Sequence, residues 1–430
     1  MLPRFGTCAG WLLGFGLVVC GGVAQAQSVS TWPTFRGADR SAVAPDTGLA
    51  NTWPEHGPPL VWRTQGIGRG YSSLAIDAAR MFTMGDTLPG ESTDDEFLLC
   101  LDRESGAVSW KSRTGPAWNK GQQSWQSSRS TPTIDGDRVY ALTAFGELIC
   151  FDLRGDELWR RHLKEDLGGK KADSWGYSES PTIDGERLIC TPGGPQATMV
   201  ALDKRSGEVI WTAQRPEDRG AGHASIVQSE INGLKVYVQT TGSGAMGVRA
   251  SDGALMWTYD IPRTTAVIPT PIVAGDLVFF TAGYGLGGAL LRQIPHEDGT
   301  VGVEEIYPNN PDLQNKHGGV VRLGDYIFGD KDARGTPFCA RMMTGEVLWV
   351  GRGAGRQSAS VVAADGKLYL HYSNGTMTMV KASPEAFEEL AAFKIPDTGD
   401  RPCWAHPVVL DGHLYLREDN QVLKYDLRQP

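Results

Sequence analysis

The chain of 430 residues lacks the patterns that many functional classes require. It contains no HExxH, GxSxG or EF-hand motif, and its seven cysteines include neither an adjacent pair nor a CxxC motif. With 41 basic and 50 acidic residues the net charge is −9, so the charge balance favours neither nucleic acid nor an anionic membrane as partner. Beyond residue 26 no segment approaches 18 uninterrupted apolar residues, and we expect no transmembrane segment there.

The first 26 residues differ from the rest of the chain. They carry a single charge, Arg4, followed by an apolar run over residues 8–23 and by the small-residue sequence Ala-Gln-Ala at 24–26. This pattern predicts a secretory signal peptide at 1–26, cleaved before Gln27, and therefore an exported, periplasmic or extracytoplasmic protein. Residues 17–20 also resemble a bacterial lipobox, although valine precedes the cysteine where a small residue is usual. Lipid anchoring at Cys20 remains the alternative.

The chain is rich in residues that form turns and in tryptophan, with 54 glycines, 25 prolines and 13 tryptophans. Five segments share one ending, in which a glycine is followed four residues later by Trp110, Trp159, Trp211, Trp257 or Trp349. The spacings between these tryptophans are 49, 52, 46 and 92 residues. The last spacing is twice the third, so one unit has lost its tryptophan, and Ile306 or Tyr307 occupies that place.

A second marker follows the same period. A short apolar stretch, a turn and another apolar stretch recur, with the turns at positions 78, 136, 185, 233, 275, 324, 366 and 412. Each unit reads as four short strands without a helix signal; in the second unit they cover residues 130–134, 138–143, 147–152 and 157–160. Eight such units predict an all-β, eight-bladed β-propeller of four-stranded antiparallel blades.

The two ends of the predicted propeller complement each other. The last unit stops one strand short, after residues 423–427, whereas residues 59–63 read as an outer strand without a unit of its own. If this N-terminal strand completes the last blade, the ring closes and no open sheet edge remains. The predicted organisation is a signal peptide at 1–26, an N-terminal extension at 27–57 and one propeller domain at 58–430.

The repeated phrases resemble a known family. Residues 201–211 (ALDKRSGEVIW) and 101–110 (LDRESGAVSW) closely resemble the tryptophan-docking motif of PQQ-like repeats. Such repeats build quinoprotein alcohol dehydrogenases and the outer-membrane assembly lipoprotein BamB, both eight-bladed, and the resemblance covers nearly all of the mature chain. Residues 32–37, 174–181 and 404–417 are similar to an exported bacterial branch of the family. The fold hosts both enzymes and scaffolds, so it does not settle activity.

The five recurring tryptophans have a structural interpretation. A large indole at a fixed place in each outer strand can fill the wedge between neighbouring blades, and the glycine four residues earlier permits the turn. We therefore predict structural docking roles for Trp110, Trp159, Trp211, Trp257 and Trp349. A ligand stack is less expected of residues that recur once per blade.

The cysteines are predicted to be free thiols. Cys100, Cys150 and Cys339 occupy equivalent places in the third strands of their blades, so the sheets hold them apart. A disulfide needs Cα atoms within about 7 Å. Cys190 and Cys403 have no neighbouring partner in sequence either, and we expect no metal site among the cysteines.

A glycine motif in the fifth unit imitates a dinucleotide fingerprint. Residues 283–288 match GxGxxG and follow a strand, but a Rossmann site needs a helix at the motif and a βαβ unit. The repeat places these residues in the hairpin between the second and third strands of the blade, and residues 289–294 read as the third strand. The interpretation is a turn, not a nucleotide site.

The candidate binding residues precede the first strands of the blades, in connections that gather at one mouth of a propeller channel. They are Arg129, Trp175, Tyr177, Glu179, His223, Lys316, His317, Arg356, Trp404 and His406. The histidines fall at similar places in blades four, six and eight. Two interpretations stay open: a shared polar pocket that binds a ligand or metal, and a wet mouth in which each histidine bonds its local backbone. The second is favoured, and no metal is expected.

The resemblance also implies a test for quinone chemistry. The enzymes of the family hold PQQ with calcium, a vicinal disulfide, a tryptophan platform and a base aspartate. This chain has no adjacent cysteine pair and no calcium pattern around Asp173 or Glu179. No cofactor and no catalytic residue are therefore expected, PQQ with calcium being the alternative.

These observations leave three classes of function open. The favoured prediction is a monomeric, exported scaffold that binds proteins, peptides or another ligand at the bacterial envelope. The alternatives are a divergent quinoprotein-type periplasmic oxidoreductase acting on an alcohol or polyol, and a propeller that binds carbohydrate through Trp175 and Trp404.

Overall fold

A computed structural model describes Met1, Gly6 and residues 30–88, 94–331 and 334–429. The predicted signal peptide and the lipid site at Cys20 lie almost wholly outside the described residues. Where the chain is described, it contains 32 strands and two short 3-10 turns, Gln123–Trp125 and Pro311–Leu313. No helix in these ranges has the length and apolar character that crossing a membrane would need.

The strands follow one another in regular groups. The chain begins with β1 (Leu60–Gln65), and blade 1 contains β2 (Ala75–Ile76), β3 (Arg80–Asp86), β4 (Asp95–Asp102) and β5 (Val108–Pro116). Blade 2 contains β6 (Thr133–Asp135), β7 (Arg138–Leu142), β8 (Glu147–Asp152) and β9 (Glu157–His162). Blade 3 contains β10 (Thr182–Asp184), β11 (Arg187–Cys190), β12 (Met199–Asp203) and β13 (Val209–Ala213). Blade 4 contains β14 (Val227–Ile231), β15 (Leu234–Thr241), β16 (Gly244–Arg249) and β17 (Leu255–Asp260).

The second half repeats this order. Blade 5 contains β18 (Ile272–Ala274), β19 (Leu277–Ala282), β20 (Gly287–Pro295) and β21 (Val301–Asn310). Blade 6 contains β22 (Val320–Leu323), β23 (Tyr326–Lys331), β24 (Thr336–Arg341) and β25 (Val347–Val350). Blade 7 contains β26 (Ala359–Ala364), β27 (Lys367–Tyr372), β28 (Thr376–Lys381) and β29 (Glu389–Lys394). Blade 8 contains β30 (Val408–Leu410), β31 (His413–Glu418) and β32 (Gln421–Asp426).

The sheets form a closed eight-bladed propeller, as the sequence predicts. Each blade is an antiparallel meander of four strands, and the first strands of neighbouring blades contact each other around the centre. In blade 8 the fourth strand is β1, which pairs with β32 so that Trp62 lies opposite Lys424 and Gln65 opposite Gln421. The predicted closure by residues near 59–64 is confirmed.

Tryptophan contacts connect one blade to the next along the outer rim. The six-membered ring of Trp159 lies against Gly207 of the following blade, where an added Cβ would come within 2.8 Å of it. The indole N–H donates to the Lys204 carbonyl oxygen at 3.1 Å. Trp110 repeats both contacts with blade 2 and Trp211 with blade 4. The glycine is required because its φ is positive and because the indole leaves no room for a side chain.

Tyr307 occupies the tryptophan position in blade 5. It lies opposite Leu290 after a bulge, as Trp159 lies opposite Cys150, and its ring contacts Gly345 of blade 6. Its hydroxyl donates to the Met342 carbonyl oxygen at 2.9 Å, replacing the indole N–H bond. The lost tryptophan has therefore been replaced by a residue that keeps both interactions.

Small residues lie opposite these aromatic rings. Cys100, Cys150 and Cys339 occupy the third strands of their blades and pair across the sheet with Trp110, Trp159 and Trp349. All five cysteines in the described ranges are buried and free, which confirms the predicted thiols. Burial raises the pKa of Cys100 and of Cys339 to about 12, so both thiols stay protonated and unreactive at neutral pH.

The glycine motif at 283–288 forms a turn. It connects β19 to β20, with Tyr284 and Gly285 in the left-handed region at φ of 60° and 83°. No helix begins at the motif, and residues 289–294 belong to the third strand, as predicted.

The extension before the propeller enters the central channel. Trp32 bridges to Ile76 of blade 1, and the Pro33 carbonyl oxygen accepts from the Ile134 N–H of blade 2. At the other end of the segment, Val43 bridges in parallel to Ala363 of blade 7, two blades from blade 1 around the closed ring. Residues 32–44 thus run through the channel, and we call them the crossing segment because their arginines reach opposite sides of the ring.

Two buried arginines fix this crossing segment. Arg40 donates to the carbonyl oxygens of Ser180 and Pro181 in blade 3, at 3.0 and 2.8 Å. Arg36 donates to the Val320 carbonyl oxygen in blade 6 at 2.6 Å. The segment therefore divides the channel and closes the mouth pocket described next from below.

A candidate binding pocket at the mouth of the channel

A cavity of about 150 Å³ lies at one mouth of the propeller. Most of its walls come from connections between the outer strand of one blade and the inner strand of the next, and we call it the mouth pocket. Six of the ten predicted site residues line it: Arg129, Trp175, His223, His317, Trp404 and His406. Residues that are far apart in sequence converge here because every blade sends its connection to the same end.

The floor of the mouth pocket is the crossing segment. Phe35 packs edge-on against His406, with ring centroids 4.7 Å apart. Arg36 lines the same floor and lies near Gly319, whose φ of 67° and lack of a side chain leave room for the guanidinium. Sequence analysis missed both residues, because the channel crossing is a tertiary feature without a repeated signal. Only the family-like sequence motif at residues 32–37 indicates that this segment is unusual.

Aromatic rings form the walls. Trp175 meets Trp125 at right angles with centroids 5.5 Å apart. Trp404 lies between His317, stacked at 4.4 Å, and Tyr71 at 4.9 Å. Two rings therefore already pack against Trp404, one of them stacked on it, which leaves less of its surface for the predicted stacking on a sugar.

The three histidines are neutral side chains at physiological pH. Burial lowers the pKa of His223 to about 4 and that of His317 and His406 to about 3. His223 is fixed by Ser178 at Nδ1 and by Asp173 at Nε2, at 2.6 and 2.8 Å, and not by its local backbone. Within the described ranges the three histidines do not form a metal-ligand cluster.

Two arginines line the mouth pocket, and Arg129 differs from Arg36 because its guanidinium does not donate to backbone carbonyl oxygens. Burial lowers the pKa of its guanidinium to about 10, which leaves it protonated at neutral pH. Among the described residues this guanidinium has no direct hydrogen bond or ion pair, although the Asp173 carboxylate attracts it at longer range. By contrast, Arg401, which lies over the Tyr71 ring, donates to the Gln126 carbonyl oxygen and pairs with Asp419.

The other four predicted residues do not line the mouth pocket. The Tyr177 hydroxyl donates to the Pro192 carbonyl oxygen at 2.9 Å in the core between blades. Glu179 is buried and accepts from the Thr191 N–H at 2.8 Å, and burial raises its pKa to about 8. The Lys316 ammonium lies 5.1 Å from the centre of the Tyr284 ring, and it is this ring, not the lysine, that lines the pocket. Arg356 donates to two nearby carbonyl oxygens, Gly353 and Gly355.

The donor set of the mouth pocket does not fit a calcium-bound quinone. Calcium takes about six to eight oxygen ligands, carboxylates prominent among them. The described residues that line the pocket contribute no carboxylate, and their side-chain oxygens are hydroxyls, such as those of Ser178 and Thr270. Asp173 is turned toward His223 and carries only 7% side-chain exposure. Aromatic faces, neutral imidazoles and the guanidinium groups of Arg36 and Arg129, neither of which forms an ion pair among the described residues, instead suit an apolar group that carries a negative charge.

A family model described as "Outer membrane protein assembly factor BamB" matches residues 94–351, more than half of the chain. The chain belongs to this family. Among curated proteins, outer membrane protein assembly factor BamB of Bordetella pertussis is 25% identical over 212 residues, covering 46% of this chain and 49% of that protein. The matched part thus spans about half the length of this relative.

Solved structures share the fold at low sequence identity. BamB from Moraxella catarrhalis matches with a TM-score of 0.55 and 16% identity, over 86% of this chain and 98% of that one. A europium-containing methanol dehydrogenase matches with a TM-score of 0.64 and 12% identity, over 91% and 89% of the two chains. An assembly factor and a dehydrogenase therefore share this architecture, and only the site can separate the two functions.

Proposed function

We propose that this protein is an extracytoplasmic binding scaffold of the assembly-factor kind, and that it holds a segment of a partner protein in the mouth pocket. The observation that carries the proposal is the Arg129 guanidinium, which lines an aromatic pocket without an ion pair. The family name, outer membrane protein assembly factor, supports a protein partner. The predicted signal peptide supports a location outside the cytoplasm.

The chemistry of the mouth pocket indicates what the partner segment carries. A partly buried guanidinium without an ion-pair partner gains most from a carboxylate, which it can bind through two parallel hydrogen bonds. Around it, Trp125, Trp175 and Phe35 offer apolar ring surface. The expected ligand is a peptide in which an acidic group stands beside an aromatic or aliphatic side chain. The floor made by the crossing segment limits entry to the tip of a segment or loop.

A peptide array tests this proposal. Twelve-residue peptides that place Asp or Glu beside Phe, Tyr or Leu are compared with the same peptides carrying Asn or Gln. We expect the acidic set to bind, and Arg129→Gln to weaken binding at least about tenfold, the usual loss for a buried charge-assisted pair. Arg129→Lys keeps the charge but loses the planar fork, so it restores only part of the affinity.

Arg356→Gln is the matched control. Arg356 belongs to a corresponding connection in blade 7, but its guanidinium is engaged by backbone carbonyl oxygens and does not line the pocket. Its replacement should leave peptide binding unchanged. Equal binding of acidic and amide peptides, or equal losses in the Arg129 and Arg356 variants, would refute the proposed site.

The proposed scaffold works without PQQ. The sequence lacks an adjacent cysteine pair, and the described lining residues of the pocket supply no carboxylate for calcium. The methanol dehydrogenase match is a likeness of fold, and no further observation at the site favours oxidoreductase activity. No separate observation favours a carbohydrate ligand either, because His317 and Tyr71 already pack against the Trp404 ring.

A further inference from the structure

Three potential metal ligands meet between blades 7 and 8, beside the connection that carries Trp404 and His406 but outside the lining of the mouth pocket. His371 lies in β27, Glu418 ends β31, and Cys403 lies in the connection that leads to β30. One imidazole nitrogen, one carboxylate oxygen and the thiol sulfur lie within 4.8 Å of one another. All three side chains are buried, His371 completely.

In this cluster an imidazole nitrogen and a carboxylate oxygen face each other, and both are hydrogen-bond acceptors. His371 Nδ1 lies 2.9 Å from the Ala405 carbonyl oxygen, which can only accept, so Nδ1 carries the hydrogen. In the neutral ring Nε2 then presents a lone pair, and it faces Glu418 Oε2 at 3.1 Å. Two acceptors at this distance repel each other unless a proton or another cation lies between them.

The carboxylate also has an unsatisfied oxygen. Glu418 Oε1 is buried and has no hydrogen-bond partner among the described residues. Leaving a buried carboxylate oxygen without a partner is costly, and such groups commonly indicate an ion or another unseen ligand. The free lone pairs of Nε2 and Oε1 and the Cys403 thiol all belong to one small cluster.

We propose that His371, Cys403 and Glu418 form a site for a divalent transition metal, with zinc as the expected ion. Imidazole nitrogen, thiolate sulfur and carboxylate oxygen are the ligands that zinc takes in proteins. In tetrahedral coordination, nitrogen and oxygen ligands about 2.0 Å from the ion lie about 3.3 Å apart, close to the observed Nε2–Oε2 separation. One thiolate and one carboxylate balance the two charges of the ion.

Neighbouring residues orient the His371 imidazole, and a cavity gives a metal ion access to the site. The bond from Nδ1 to the Ala405 carbonyl oxygen fixes the imidazole with Nε2 toward the site, as a backbone carbonyl commonly does for zinc-bound histidine. A cavity of about 370 Å³ borders Cys403, and its lining includes the exposed residues Gly399 and Asp400. An ion can enter from this side, and water can complete the coordination.

Metal titration of the full chain tests the site. The protein is purified without a histidine tag, stripped with a chelator and titrated with Co²⁺ and Zn²⁺. We expect one equivalent of Co²⁺ to bind with a thiolate-to-cobalt charge-transfer band, and Zn²⁺ to displace it. Cys403→Ser should abolish that band, and His371→Gln and Glu418→Gln should weaken Zn²⁺ binding at least about tenfold.

Cys339→Ser is the matched control, since Cys339 is also a buried free thiol but belongs to no such cluster in the described ranges. It should bind both metals like the unaltered chain. If a cluster variant fails to fold, two measurements on the unaltered chain still test the site. These are the cobalt spectrum and the melting temperature, which Zn²⁺ should raise. The absence of a thiolate band, or substoichiometric binding that the three replacements leave unchanged, would overturn the proposal.

Discussion

The outer rim and the mouth of this propeller use tryptophan in opposite ways. At the rim, Trp110, Trp159 and Trp211 repeat one contact with a glycine of the next blade and one hydrogen bond to its backbone. At the mouth, Trp175 and Trp404 have different neighbours, and the Trp175 indole N–H is buried without a partner. The repeated contacts stabilise the ring, whereas the unrepeated ones shape a pocket.

This difference separates structural residues from binding residues without reference to a relative. A feature that recurs in every blade must satisfy a requirement that every blade shares, which is packing against its neighbour. A residue that occurs once, such as the unpaired Arg129, is not required by the repeat. Replacements at the rim should therefore act mainly on stability, and replacements at the mouth mainly on binding.

The largest expected effect is at the rim. Trp211 is 8% exposed and packs on Gly253, so Trp211→Ala should lower the free energy of unfolding by about 3–5 kcal/mol. Trp175→Ala, at the mouth, should cost about 1 kcal/mol, because the ring is only partly buried and contacts residues of the mouth connections, not the packed sheets. Equilibrium urea unfolding followed by circular dichroism measures both.

For the loss of peptide binding, we expect the opposite order of effects from the same two variants. Trp175→Ala removes a wall of the mouth pocket and should reduce binding of acidic peptides, whereas folded Trp211→Ala should retain it. Equal losses of stability in the two variants would remove the distinction between rim and mouth.

An intermediate effect is expected from pH. The folded-state pKa of His406 is about 3, below its ordinary value near 6.5, because burial disfavours the charged ring. Below pH 6.5 the unfolded chain takes up a proton that the folded chain does not, so His406 lowers the free energy of unfolding as pH falls. Between pH 6.5 and 5 this amounts to about 2 kcal/mol.

His406→Gln tests this pH dependence because it removes the titrating group. The variant should lose less stability than the unaltered chain as pH falls from 6.5 to 5, measured by urea unfolding at each pH. If the two stability curves ran parallel over this range, His406 would not be the buried neutral ring that the structure shows.

A smaller effect is expected where the rim departs from its own repeat. The Tyr307 hydroxyl bonds the Met342 carbonyl oxygen at 2.9 Å, so Tyr307→Phe should cost about 1 kcal/mol. Tyr307→Trp should be tolerated, since tryptophan makes the equivalent contacts in other blades. A large loss for tryptophan and none for phenylalanine would show that blade 5 does not use the shared rim contact.

Periodicity explains what the sequence could predict. The eight blades, the closure through Trp62 and the positions of the third-strand cysteines all follow from counting equivalent positions. Convergence of Arg129 and His317 at one mouth follows from the same count. The direction in which a side chain points does not follow from this count. The sequence therefore predicts Tyr177 and Glu179 at the mouth, whereas in the structure both side chains face the packed interior.

Features without a period needed the structure. The crossing of the channel by residues 32–44 depends on contacts with both sides of the ring, such as that of Arg36 with Val320. The cluster of His371, Cys403 and Glu418 joins two different strands and one connection, so no spacing in the sequence indicates it. Both depend on how neighbouring blades are placed, and not on the order of residues within one blade.

The last prediction is an absence of effect and concerns the enzyme that shares this fold. Because the described residues that line the mouth pocket include no carboxylate, we expect that calcium is not held where it would anchor PQQ and polarise a quinone carbonyl. We therefore expect no tight PQQ binding and no dye-linked oxidation of alcohols, even with calcium and PQQ supplied. The measurement is the quinone absorption band after gel filtration, with dye reduction recorded for primary alcohols and polyols. Acidic peptides should still bind the same sample. Substrate-dependent dye reduction that His223→Ala or His317→Ala abolished would make the mouth pocket a catalytic site and would contradict the scaffold proposal.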